Sequence, residues 1–369
     1  MKNSLRLLAA TLATFHCAFA AEIPFYIGTY TDANGSKGIY RGVLDSEAGT
    51  AKVTGLAGEI PNPSFLAIHP KGKLLYAAVE NQGGQVAAFA IQPDGALRLL
   101  NTESSRGNGN CHVWVDASGK NVLAANYGDG VVSCLPIRED GTLAPASSVI
   151  RQKGSGPNKE RQEGPHAHAI YNLGDFVYTC DLGTDDVFVY RFDAQTGKLT
   201  PHSPASARVP AGGGPRHLAF HPDGTMAFSN NELTSAVTAF RLDSARGTLS
   251  PVHTVSTLPE GYAGAAANST AEIHCHPNGR FVYVSNRGHD SLAVFSIAQD
   301  GHLSRVEIAD AKVKVPRGFA ISPDGKWLIA AGHFSNDLAL HSIDAQTGKL
   351  TFKSFVGKVS KPVNVEFLK

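Results

Sequence analysis

A segment of one shape recurs seven times along the chain, and that recurrence limits the fold more than any other feature. Its clearest copies are Pro63-Ser64-Phe65-Leu66-Ala67-Ile68-His69-Pro70-Lys71-Gly72, Pro215-Arg216-His217-Leu218-Ala219-Phe220-His221-Pro222-Asp223-Gly224 and Pro316-Arg317-Gly318-Phe319-Ala320-Ile321-Ser322-Pro323-Asp324-Gly325. Each is a proline, one variable residue, an alternating apolar run and a Pro-x-Gly turn. Weaker copies begin at Asn110-Cys111-His112, Pro165-His166-Ala167-His168, Thr270-Ala271-Glu272 and Pro362-Val363-Asn364. The starts at 63, 110, 165, 215, 270, 316 and 362 lie 46 to 55 residues apart. Self-similarity at that period marks a solenoid or a propeller, not two unrelated domains.

Each copy continues with a second apolar run ending in a polar residue, such as Asn121-Val122-Leu123-Ala124-Ala125-Asn126 or Phe281-Val282-Tyr283-Val284-Ser285-Asn286. A Gly-rich bend, a third run such as Val187-Phe188-Val189-Tyr190, and turns such as Pro93-Asp94-Gly95 and Gln299-Asp300-Gly301 follow. Short β-branched and aromatic runs joined by such turns are antiparallel strands, and four per unit make a propeller blade. The last copy, from Pro362, has a first strand and no second. Segments near Pro24–Thr29, Gly38–Leu44 and Ala51–Val53 supply the missing three. Sharing one blade between the termini closes the ring and removes a free sheet edge. The expectation is all-β: one seven-bladed β-propeller domain over residues 21–369.

Residues 1–20 read as a cleaved secretory signal, with Lys2 and Arg6 ahead of the apolar stretch Leu7–Phe15 and Ala18-Phe19-Ala20 as the cleavage site. That stretch is too short to span a bilayer comfortably, and no later run is long enough. The expectation is therefore an exported, periplasmic protein without membrane insertion after cleavage. With 33 basic and 32 acidic residues the net charge is +1, which gives no electrostatic reason to expect nucleic acid as a partner. Beyond Cys17, the thiols Cys111, Cys134, Cys180 and Cys275 sit in apolar runs and read as buried and unpaired. No Cys/His spacing suggests zinc.

In a blade the first strand lines the central channel, and its start lies beside the end of the antiparallel second strand. Aligning the repeats on that frame places Ser64, Cys111, His166, Arg216, Ala271, Arg317 and Val363 in one ring. Gln82, Tyr127, Leu182, Glu232, Arg287 and His333 form a second ring at the same mouth. His168, two residues along the strand from His166, faces the same way; alternation turns His217 and Glu272 to the opposite face. The histidines of His69-Pro70, His221-Pro222 and His276-Pro277 fall at the far end of the strand and read as turn packing. Convergent charged groups in a concave site point to chemistry. Glu232 or His166 would act as base toward water, with Arg216 and Arg287 stabilising the oxyanion of an ester or lactone. The same spacing also allows a satisfied polar plug in the channel. The residue set requires no metal and no cofactor, since the mouth offers one strong carboxylate.

The segments Tyr26-Ile27-Gly28-Thr29-Tyr30-Thr31, Gln162-Glu163-Gly164-Pro165-His166-Ala167-His168, Gly214-Pro215-Arg216-His217, Asn231-Glu232-Leu233 and Ser285-Asn286-Arg287-Gly288 resemble the seven-bladed propeller lactonase family. Its members include 6-phosphogluconolactonases and carboxy-muconate lactonising enzymes. The resemblance implies a His, two Arg and a Glu in the active site, carried here by His166 (or His168 in its place), Arg216, Glu232 and Arg287; the position of His168, Arg317, His333 and Gln82 on the repeat frame makes them substrate-binding candidates. It implies a small-molecule lactone substrate, and we expect a monomer or weak homodimer. Export separates this chain from cytoplasmic sugar phosphates, so the expectation is a gluconolactonase. The alternatives are a 6-phosphogluconolactonase, a carboxy-muconate cycloisomerase and a non-catalytic binding propeller. The basic segment from Arg151 to Gly164, with Lys153, Lys159 and Arg161, overhangs the same mouth as a lid, an anion site or a mobile surface loop.

Overall fold

In the second strand of every blade the apolar run is continuous, because both faces are covered by neighbouring blades; Phe176–Asp181 is buried at every position. Fourth strands alternate instead, as in Thr50–Glu59 and Leu350–Lys358, with one face on the neighbouring blade and one in water. The computed structural model describes residues 22–368, so the proposed signal segment and Cys17 lie outside the described residues. It contains seven four-stranded antiparallel sheets. Blades 1 to 6 run in chain order from Pro63, and blade 7 combines Pro362–Phe367 with Glu22–Thr29, Gly38–Asp45 and Thr50–Glu59. The terminal strands pair antiparallel from Phe25 opposite Phe367 to Thr29 opposite Pro362. The shared blade expected from the repeat count is thus present.

The core is divided into seven clusters, one between each pair of adjacent blades, including that between blades 7 and 1 (Tyr26, Ile39, Leu66, Leu75, Phe89). Histidines at the far end of the first strand tie neighbours together. Nε2 of His69, His221 and His276 bonds the carbonyls of Gly119, Gly279 and Gly325 in the next blade at 3.0, 2.7 and 2.8 Å. All four later cysteines are free; Cys111, Cys134 and Cys180 are buried and Cys275 is half-buried. No described helix is long and apolar enough to cross a membrane.

One detail of the first strand positions the site. In blade 4 Pro215 pairs with Asn231 and His217 with Asn230, leaving Arg216 as an extra residue in a β-bulge. Blades 1, 2 and 6 repeat the irregularity at Ser64, Cys111 and Arg317. In blade 3 it falls between Ala167 and Ala169, at His168. A bulge turns consecutive side chains toward one side of the sheet.

Candidate active site

The bulge corrects the sequence register in blade 3. Ala167 stands opposite Asp181 as Pro215 stands opposite Asn231, so His168, not His166, is the counterpart of Arg216. His166 lies one residue before the strand, where its carbonyl accepts the Leu182 N–H at 3.0 Å. Asn62, Gly109, Gly214, Val315 and Lys361 do the same in other blades. Those bonds define the second ring by geometry as Tyr30, Glu80, Tyr127, Leu182, Glu232 and His333, with Arg287 at the end of its strand. Gln82 is therefore not a ring residue. The second strand of blade 1 stops at Val79, opposite Pro63, and Gln82 sits exposed in the following turn. Glu80 takes the position given to it in the sequence alignment, and Tyr30 fills that of blade 7.

Glu232 is the hub of the mouth. Its Oε2 lies 3.1 Å from Arg216 Nε and 3.0 Å from Arg287 Nη2, and its Oε1 accepts from Arg161 Nη2 at 2.8 Å. Burial pushes this carboxyl up, but Arg287, Arg216 and Arg161 outweigh it and hold it at about 2. Burial in turn lowers Arg287 to about 10 against the opposing pull of Glu232. Three guanidinium groups around one carboxylate leave a formal excess of two positive charges. Arg161 comes from the segment before blade 3. Gln162 pins that segment to the ring: its side-chain amide donates to the Leu182 carbonyl at 2.8 Å and to Asp185 Oδ1 at 2.6 Å. Arg161 also donates to the Tyr127 hydroxyl at 3.0 Å. The sequence marked this segment as basic but did not place Arg161 among the site residues.

His166 stacks on the Tyr127 ring with centroids 4.5 Å apart and 18° between planes. Its Nδ1 lies 2.8 Å from the Tyr127 carbonyl, so Nδ1 carries the proton in that bond; Nε2 lies 3.0 Å from the exposed Glu163 carboxylate. His168 is buried beside Cys111 Sγ, 3.9 Å from Nδ1, and burial with Arg216 nearby holds its pKa well below the ordinary histidine value.

His217 and Glu272 do not turn away from the axis. Because Arg216 bulges, His217 follows it inward. Its ring lies 5.5 Å from Phe65 and 5.4 Å from His112, residues of blades 1 and 2 across the channel. Nδ1 of His217 bonds Glu272 Oε1 at 2.6 Å, and Arg216 Nη1 lies 3.1 Å from Nε2. Strand alternation misassigned this pair because it assumes an unbroken ladder.

On the other side of the mouth, blades 6, 7 and 1 contribute a second group. The Tyr30 hydroxyl donates to Glu80 Oε2 at 2.8 Å and accepts from Arg317 Nη2 at 2.8 Å, while the Arg317 guanidinium lies over the Tyr30 ring. His333 packs on Tyr30, and burial with Arg317, Lys361 and Arg287 around it lowers its pKa to about 4. Glu80 gives the mouth a second carboxylate beyond the one counted from sequence. Among the described residues no group of three or more His, Cys, Asp or Glu side chains is placed to hold a metal ion. A cavity of about 550 Å³ lies toward the far end of the channel, lined by Trp114, Tyr171, Phe220, Glu272 and His274 among others. No arginine lines it.

Residues 24–367 match the family described as lactonase, 7-bladed β-propeller. The chain is 37% identical over 348 residues to a 6-phosphogluconolactonase of Bacillus subtilis, covering 93% of this chain and 97% of that protein. It is 32% identical to a 6-phosphogluconolactonase of Formosa agariphila, over 88% of this chain and 94% of the other. Among solved structures, the periplasmic gluconolactonase of Pseudomonas aeruginosa superposes with a TM-score of 0.87 at 29% identity, over 95% of this chain and 99% of that one. With the fold, the sevenfold frame and these likenesses in agreement, the chain belongs to the seven-bladed β-propeller lactonase family and is a lactone-hydrolysing enzyme.

Proposed function

We propose that this enzyme opens a sugar lactone of the gluconolactone type to the aldonic acid in the periplasm, at the mouth built around Glu232. The observation that carries this reading is the excess of guanidinium over carboxylate there, which suits an oxyanion in the transition state and a carboxylate in the product. Glu232, held at about 2 and ion-paired three times, is a poor base near neutral pH; it orients the arginines. His166 is better suited to the proton transfer, because its Nδ1–H is committed to the Tyr127 carbonyl and leaves Nε2 to act on water once Glu163 swings aside. Water then adds to the lactone carbonyl carbon and its proton passes to Nε2. Arg216 and Arg287 stabilise the oxyanion, the ring C–O bond breaks, and the proton returns to the departing alkoxide.

Export rests on the Lys2/Arg6 leader pattern and the likeness to a periplasmic gluconolactonase. A phosphorylated gluconolactone is the second reading, favoured by the relatives named 6-phosphogluconolactonase and by the same positive excess. A pH-stat comparison of glucono-1,5-lactone with its 6-phosphate on the mature protein decides between them. The unphosphorylated lactone is expected to have the higher kcat/KM, and Arg287→Ala to lower it by a factor of about 100 or more. A clear preference for the phosphate overturns the substrate choice.

A further inference from the structure

The half of the mouth contributed by blades 6, 7 and 1 differs chemically from the half around Glu232. Its formal charges cancel, with Arg317 and Glu80 sharing the Tyr30 hydroxyl at 2.8 Å each. Lys361, the next cation outward, is itself paired with Asp32 at 2.8 Å. Tyr30, Glu80, Arg317 and His333 are all half-buried and so open to the mouth. Here a carboxylate that accepts, a guanidinium that donates and a hydroxyl that does either stand together. That is the complement of vicinal hydroxyls, not of an anion.

We propose that Tyr30, Glu80 and Arg317 form a subsite that binds the hydroxyl-bearing end of the lactone and disfavours a phosphate there, with Glu80 as the specificity-determining residue. The inference rests on the sugar-lactone reading above and deepens it by giving the mouth a direction. The carbonyl lies toward Glu232 and its arginines, and the polyol chain toward blades 6, 7 and 1. Glu80 sits where a phosphate on the chain would meet a like charge, while Tyr30 keeps its carboxylate and the Arg317 guanidinium oriented.

The test measures kcat and KM of the wild type, Glu80→Gln and Tyr30→Phe on glucono-1,5-lactone, its 6-phosphate and δ-valerolactone, which lacks hydroxyls. Loss of a hydrogen bond to a charged group predicts that Glu80→Gln raises KM for gluconolactone about tenfold relative to valerolactone. The 6-phosphate should gain at least about tenfold in kcat/KM relative to gluconolactone, as the like charge is removed. Tyr30→Phe, which deletes one oxygen, should raise the same KM ratio with a smaller gain for the phosphate. Equal loss of kcat on all three lactones in Glu80→Gln, or an unchanged KM ratio and phosphate preference, overturns the subsite. A wild type that opens valerolactone but not gluconolactone overturns the sugar-lactone reading itself, and the subsite with it.

Discussion

Glu232 meets three arginines from three separate stretches of chain, Arg161, Arg216 and Arg287. The free energy of such a buried cluster lies in its completeness, because removing one partner leaves uncompensated charge. Glu232→Gln is expected to lower stability by about 3 kcal/mol, measured by denaturant unfolding. It should lower kcat/KM by a factor of about 100 as the arginines lose their orientation. The acid limb of the pH–rate profile separates the two candidate bases. With Glu232 held at about 2, its titration lies below the range in which the enzyme is assayed. Glu232→Gln should therefore retain an acid limb in its residual activity, and disappearance of that limb would make Glu232 the base.

At the scale of an element, the site depends on how closely the segment before blade 3 lies against the ring. A Cβ placed on Gly183 would stand 1.8 Å from the Gly164 carbonyl oxygen and 2.9 Å from the His166 nitrogen. Only glycine permits that approach. Gly183→Ala should push Gly164 to His166 outward, carrying the imidazole off Tyr127. We expect at least a tenfold fall in kcat, since misplacing a reacting group by an ångström has effects of that order or larger. The folded circular dichroism spectrum should be retained; full activity in the variant would show that this contact does not position His166. Bulges act at the same scale. They decide that Arg216 and His217, neighbours in sequence, both serve the channel, and that His168 rather than His166 occupies the ring. Neither was legible from alternation. A bulge is recorded in the pairing of two strands and not in the composition of one.

The whole molecule gathers three imidazoles, His112, His168 and His217, into one buried contact group at the axis. Burial, together with neighbouring positive groups, keeps the pKa of each well below 6.5. The unfolded chain binds protons near pH 6.5 where the folded one does not. Stability from these groups is therefore full above that pH and lost as pH falls toward the folded values. Each contributes a slope of up to about 1.4 kcal/mol per pH unit. Glu272, raised by burial, opposes the trend at the lower end of the range, and Glu232 adds to the loss between 4.5 and about 2. Denaturant unfolding at pH 7.5, 6 and 5 should give steadily falling midpoints; a flat series would mean that these histidines bind protons equally in the folded and unfolded chain.

Period and closure needed nothing beyond the sequence, because a repeat that cannot bury its own apolar faces must stack on its neighbours, and a first strand without a second must find one. The same frame placed Arg216, Glu232 and Arg287 at a common opening, since residues one blade apart in sequence return to the same position around an axis. The frame could not count residues within a strand. A two-residue slip at Pro165 and a two-residue overshoot to Gln82 left the register of His166 and the identity of Glu80 to the backbone hydrogen bonds. Arg161, Tyr30 and the His217–Glu272 pair likewise emerge only when blades face each other. Local pattern measures which side of its own strand a residue faces, whereas a site at an axis is a relation among strands that never meet in sequence.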